Sequence, residues 1–148
     1  MEPNYGNTYW EFQFKLDEKI LMTHNEIKEG LFPNLKQFTF HSQNGNYIFI
    51  PKLTLVIFDV SCLNFREFKS PLPSKDTIFI SNYFFDNNLI VVYTYGVFII
   101  NLIKDKSQFY NFKHDNCAID SCSVKNNSLI VEYADMNENK YKTKTIIV

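Results

Sequence analysis

The octapeptide Asp86-Asn87-Asn88-Leu89-Ile90-Val91-Val92-Tyr93 decides how this chain reads. Asparagine and aspartate adopt positive φ at low cost, as tight hairpin turns require, and the branched apolar run that follows is a short strand. The combination occurs twice more. Asn44-Gly45-Asn46 leads into Tyr47-Ile48-Phe49-Ile50, and Asn126-Asn127-Ser128 leads into Leu129-Ile130-Val131-Glu132-Tyr133. Ile48, Ile90 and Ile130 therefore stand 42 and 40 residues apart. The expectation is that they hold equivalent places in three copies of one small antiparallel sheet.

The flanks repeat as well. An extended segment precedes each turn (Leu35–His41, Thr77–Phe85, Cys117–Val124), and another follows each first strand (Leu53–Val60, Gly96–Leu102, Tyr141–Val148). Aromatic fourth segments, Leu63–Phe68 and Gln108–Phe112, close the first two units, with Phe65 and Phe109 aligned at a spacing of 44. Four antiparallel strands in a unit of about 40–45 residues resembles a β-propeller blade. The resemblance covers Leu35 to the C-terminus. It implies a mainly β chain of about three propeller-like four-stranded units, a half-propeller, whose last unit lacks a fourth strand. An antiparallel β-sandwich or barrel with evenly spaced hairpins is the alternative. Tyr9–Leu16 alternates aromatic with polar residues, the period of a half-buried strand that would fill that vacancy. Thr23-His24-Asn25-Glu26 matches a capping box, with Gly30 and Pro33 placed to stop a helix, so one short N-terminal helix is expected.

Composition agrees with strands. Two alanines stand against 31 Ile, Val and Thr residues, 15 Phe and 9 Tyr. β-Branched and aromatic side chains suit a pleated surface, whereas alanine is the strongest helix former. With 148 residues, 45% of them apolar and 21% charged, the chain is expected to form a single all-β domain over residues 1–148. Fifteen basic and sixteen acidic residues give a net charge of −1, and Arg66 is the sole arginine. Nucleic-acid binding needs a basic stripe, so it is not expected. Apolar runs are too short for a bilayer, and Met1–Asn7 has no signal-peptide pattern, so neither membrane insertion nor secretion is expected. An odd set of cysteines (Cys62, Cys117, Cys122) fits reduced thiols and a cytoplasmic location. Seventeen asparagines and many lysines point to an AT-rich, bacterial genome.

Few residues are spaced for chemistry. His114-Asp115-Asn116-Cys117 with Cys122 supplies three zinc-type ligands where a closed site needs four. The odd Cys117–Cys122 interval should put the two thiols on opposite faces of a strand. His24 and His41 have no carboxylate or nucleophile at a recognisable spacing, and nothing local activates Cys62. Asp17, Glu18, Glu26 and Glu29 read as the solvated face of the short helix rather than an acid–base pair. Gly-rich phosphate loops, G-x-S-x-G and H-E-x-x-H are missing. The expectation is a protein that is not an enzyme, with no catalytic residue, cofactor or metal.

The blade order gathers one set of loops. Second-to-third turns and between-unit loops share one end of a four-stranded antiparallel unit. Here these are Pro51-Lys52, Thr94-Tyr95, Asp135–Asn139, Ser70–Asp76 and Lys113–Asn116. That end holds the candidate partner-binding residues Asp76, Tyr95, His114, Asp115, Asp135 and Glu138. Acidic groups steer in a cationic protein surface, and a tyrosine can anchor it. A small, β-rich, cytoplasmic chain with such a face resembles the bacterial immunity proteins, with those of contact-dependent growth inhibition the first to name. The resemblance is of class rather than motif. It implies a binding protein that occludes the active site of a cognate toxin domain, a basic nuclease first among them, over about 1,600 Å² in total. The competing classes are an intracellular barrel holding a small apolar ligand, and a scaffold fragment of a larger propeller.

Overall fold

In the computed structural model, which describes residues 7–29, 39–42, 45–51 and 54–148, every strand pairing is antiparallel. Gly30, Pro33, the start of the Leu35–His41 segment, Asn44, Lys52 and Leu53 lie outside the described residues. The chain divides into two compact units, Met1–Gln37 and Phe38–Val148.

The first unit holds a hairpin of β1 (Asn7–Leu16) and β2 (Lys19–Glu29). The turn passes through Asp17 at φ 52°. This corrects the expected helix: Thr23 pairs with Gln13 and Glu26 with Trp10. Local capping bonds compete here with a full antiparallel ladder, and Thr, His and Asn are weak helix formers. The same pairing places β1 beside β2 in a two-stranded sheet, and the last sheet, among the described residues, consists of three strands.

Three sheets make up the second unit. The first comprises β3 (Thr39–Ser42), β4 (Gly45–Pro51), β5 (Thr54–Asp59) and β6 (Asn64–Lys69). The second comprises β7 (Phe79–Phe85), β8 (Asn88–Tyr93), β9 (Gly96–Asn101) and β10 (Lys106–Asn111). The third has β11 (Cys117–Lys125), β12 (Ser128–Asp135) and β13 (Lys140–Ile147). Strands follow chain order within each sheet, and among the described residues no sheet closes on itself into a barrel. A short 3-10 turn, Ser74–Asp76, precedes the second sheet, and among the described residues no helix is long and apolar enough to cross a membrane.

The turns explain the pairing. Asp86-Asn87 (φ 46° and 63°) and Asn126-Asn127 (φ 49° and 59°) are both positive throughout, the geometry of a two-residue type I′ hairpin whose twist matches its strands. Asn88 pairs with Phe85 and Ser128 with Lys125, so Ile90 and Ile130 occupy equivalent places. In the first sheet Gly45 is the residue that pairs back, with Ser42, and Ile48 therefore matches Val91 and Val131 rather than the two isoleucines. The Asn-Gly-Asn signal had placed that turn one residue late. The aromatic alignment holds at the level of register: Phe58 pairs with Phe65 as Phe98 pairs with Phe109.

Sheets stack through alternating faces. Leu89, Val91 and Tyr93 pack with Leu55 and Ile57 of the first sheet. Ile90 and Val92 pack with Ile119, Leu129, Val131 and Ile146 of the third. The middle sheet is therefore covered on both faces, which is why β8 reads as an unbroken apolar run. Cross-sheet polar bonds reinforce the stack: Arg66 Nη1 donates to the Leu102 carbonyl (2.6 Å), and the Tyr83 hydroxyl donates to the Cys122 carbonyl. The far face of the third sheet carries Ser121, Ser123, Glu132, Thr143 and Thr145 around Ile130.

Leu63 closes the β5–β6 loop at φ 54° with its side chain 43% exposed. An L-residue other than Asn or Asp pays about 1–2 kcal/mol in that conformation. Leu63→Gly should therefore raise stability by about 1 kcal/mol, read as a higher denaturation midpoint with an unchanged slope.

Candidate functional site

A meander returns to the same end at every other connection, so the second-to-third turns meet the between-sheet loops. Backbone bonds stitch them together. Thr94 N–H donates to the Ile78 carbonyl (2.9 Å) and Ile119 N–H to the Thr94 carbonyl (2.6 Å). Phe112 and Lys113 N–H both donate to the Tyr95 carbonyl (2.8 and 3.2 Å), and Met136 N–H donates to the Asn116 carbonyl (3.1 Å).

Side chains on this rim form two groups. In the first, Lys113 Nζ lies 4.2 Å above the Tyr95 ring and 3.6 Å from the Asp76 carboxylate. Asp76 is only 6% exposed, so its charge holds Lys113 over the ring instead of facing solvent. In the second, Asp135 Oδ1 accepts the N–H groups of Asn137 (3.0 Å) and Glu138 (3.2 Å). Lys142 Nζ reaches Asp135 at 2.8 Å and Glu138 at 2.9 Å. Asn137 Nδ2 donates to the Asp115 carbonyl (3.3 Å), and Asn116 Nδ2 donates to Asn137 Oδ1 (3.0 Å).

The Lys142 and Glu138 bonds hold the Asp135 carboxyl below its ordinary range, and the two carboxylates raise Lys142. A lowered carboxyl contributes stability above its unfolded value and loses it as pH falls through the folded one; a raised lysine does the reverse on the alkaline side. The contribution of the pair is therefore complete between roughly pH 4 and pH 10 and falls away only outside that window.

Of the six residues expected here, His114, Asp115 and Glu138 are exposed and Tyr95 is half-buried. Asp76 and Asp135 act from beneath as organisers of Lys113 and Lys142. Those two lysines are the residues that sequence reasoning missed. Lys113 lies inside a loop already singled out, but its partner is 37 positions away. Lys142 points back across the β12–β13 turn, which the seven-residue interval to Asp135 leaves ambiguous.

Between Asp115 and Asp135 opens a cleft of about 180 Å³, walled by Tyr110, Phe112, Tyr133 and Lys144. Phe112 and Tyr133 meet edge to face at 5.2 Å. Lys144 Nζ stands 5.9 and 5.7 Å from the Tyr110 and Phe112 rings. Cys117 also lines the cleft, and its Sγ donates to the Asp115 carbonyl (3.4 Å).

Cys117 and Cys122 turn out to share a face. A bulge between Ile119 and Ser121 shifts the register, so Cys117 pairs with Asp135 and Cys122 with Val131, four residues apart on β12. Both pack in the same core cluster. Burial pushes the Cys117 thiol up, with Asp135 and Asp115 adding to it, and burial lifts Cys122 to about 12. Such thiols stay protonated and are poor nucleophiles. Cys62 is exposed. At pH 8 a disulfide-exchange reagent should titrate one thiol quickly in the native protein and three after unfolding; rapid reaction of a second native thiol would contradict the buried placement.

No protein family, curated protein or solved structure matches this chain.

Proposed function

We propose that the three stacked sheets are propeller-type blades in an open half-propeller, and that the chain is a non-enzymatic binding protein that occludes a cognate protein through the loop rim. The toxin-immunity role is its most economical form: a small cytoplasmic inhibitor covering the active site of a basic nuclease-type domain. One observation carries the reading. The turns and loops of neighbouring sheets are bonded to one another, so Tyr95, His114, Asp115 and Glu138 are presented from a pre-organised surface. Pre-organisation lowers the ordering cost of association, and exposed carboxylates raise the encounter rate with a cationic partner.

Co-expression with the product of the neighbouring reading frame tests this. The expected result is a stable 1:1 complex and relief of growth arrest. Asp115→Lys should cut the association rate about tenfold at low salt without changing the melting temperature. A neighbour that is neither toxic nor bound, or an Asp115→Lys protein that binds like the parent, would overturn the proposal.

A further inference from the structure

The third sheet is one strand short of the other two. β6 and β10 each cover the third strand of their sheet, whereas among the described residues nothing pairs with the outer edge of β13. Register defines what belongs there. Val91 pairs with Phe98, which pairs with Phe109; at the matching place Val131 pairs with Lys144, and among the described residues no strand stands opposite Lys144. In the second sheet that position holds an aromatic ring, Phe109, edge to face with Phe98 at 4.8 Å. In the third sheet it faces the cleft walled by Tyr110, Phe112 and Lys144.

We propose that β13 accepts an extended segment of a partner protein as an antiparallel fourth strand, and that this segment places an aromatic residue opposite Lys144. The aromatic residue lies opposite Lys144, where a cation and two rings already form its walls. Lys142, the next inward residue of β13, is already held by the Asp135 and Glu138 carboxylates, so this edge selects for the aromatic ring rather than for charge. The chain contains a template for it. β6 reads Asn64-Phe65-Arg66-Glu67-Phe68-Lys69, and by register its Phe65 corresponds to that place. Edge lysines discourage indiscriminate pairing of sheet edges, so they act as a filter. The inference concerns the sheet edge and stands independently of docking at the loop rim.

A labelled synthetic peptide with the sequence of residues 63–70 of this chain, titrated into the full-length protein, is the probe. Saturable binding is expected, weakened at least tenfold by Phe65→Ala in the peptide and by Lys144→Glu in the protein. Hydrogen exchange read by NMR should show alternate amides of Lys140–Ile147 slowed at least tenfold in the complex, the signature of an added strand. Thermal unfolding of Lys144→Glu should match the parent, which separates lost recognition from lost folding. Absence of saturable binding overturns the proposal, as does binding that leaves the β13 amides unprotected. Self-association of the protein through β13 that the peptide cannot displace would overturn it in favour of a second copy as the occupant.

Discussion

Ile90→Ala should lower the free energy of unfolding by about 3–4 kcal/mol, whereas Ile130→Ala should cost about 1 kcal/mol or less. The two residues have the same register place on the second strand of their sheets. Ile90 is 0% exposed, held between the second and third sheets by Leu129, Val131 and Ile146. Truncating it removes buried methyl and methylene groups and leaves a void that two packed sheets cannot close. Ile130 lies on the far face of the third sheet, between the exposed Thr145 and Ser123, and is only half-buried, so its truncation leaves no closed void. Urea titrations of the two variants side by side measure the difference directly. Equal costs would mean that the third sheet is covered on both faces and that the stacking order is wrong.

Gly96→Val should destabilise by about 3 kcal/mol, and Gly96→Ala by somewhat less. A Cβ at this position would lie 2.2 Å from Cζ and 2.7 Å from Cε1 of Phe109, and 3.0 Å from the Tyr110 carbonyl oxygen. The ring cannot swing clear without leaving Phe98 and the core cluster that it flanks. The carbonyl belongs to the β9–β10 ladder and has little room to move. Glycine is thus required by the close approach of the Phe109 ring, not by an unusual φ. Combining Gly96→Ala with Phe109→Leu should cost less than the sum of the single changes, because the smaller side chain makes room; strict additivity would show that the clash is relieved elsewhere.

How much of this was legible in the sequence depended on how local each determinant is. The Asp86-Asn87 and Asn126-Asn127 turns were readable because positive φ at two consecutive residues is a property of those residues and sets strand pairing at once. The third strands and the Phe65 and Phe109 alignment followed from the repeat. The first copy slipped by one place, since Asn44-Gly45-Asn46 offers two turns of similar quality and only the pairing of Gly45 with Ser42 decides between them. The helix expected at Thr23–Gly30 failed for the opposite reason: its cap signal is local, and a ladder with β1 outweighs it. On the rim, composition identified the carboxylates and the tyrosine, but their charge state as a surface depends on Lys113 and Lys142, whose positions only the folded sheets reveal. The shared face of Cys117 and Cys122 was likewise invisible, because a single bulge reverses the parity that sequence spacing assumes.

Sheets that stack face to face have no built-in length, and an array of this kind could in principle add layers without limit. The hydroxyl row of the third sheet sets a terminus. Ser121 already donates to Glu132 at 2.8 Å, and Thr143 and Thr145 stand exposed beside them. Laying another apolar sheet there would strip water from a carboxylate and several hydroxyls without replacing their partners, a cost larger than the apolar contact around Ile130 returns. Growth along the stacking axis is thus self-limiting, while recruitment sideways, in the plane of the sheet, stays open.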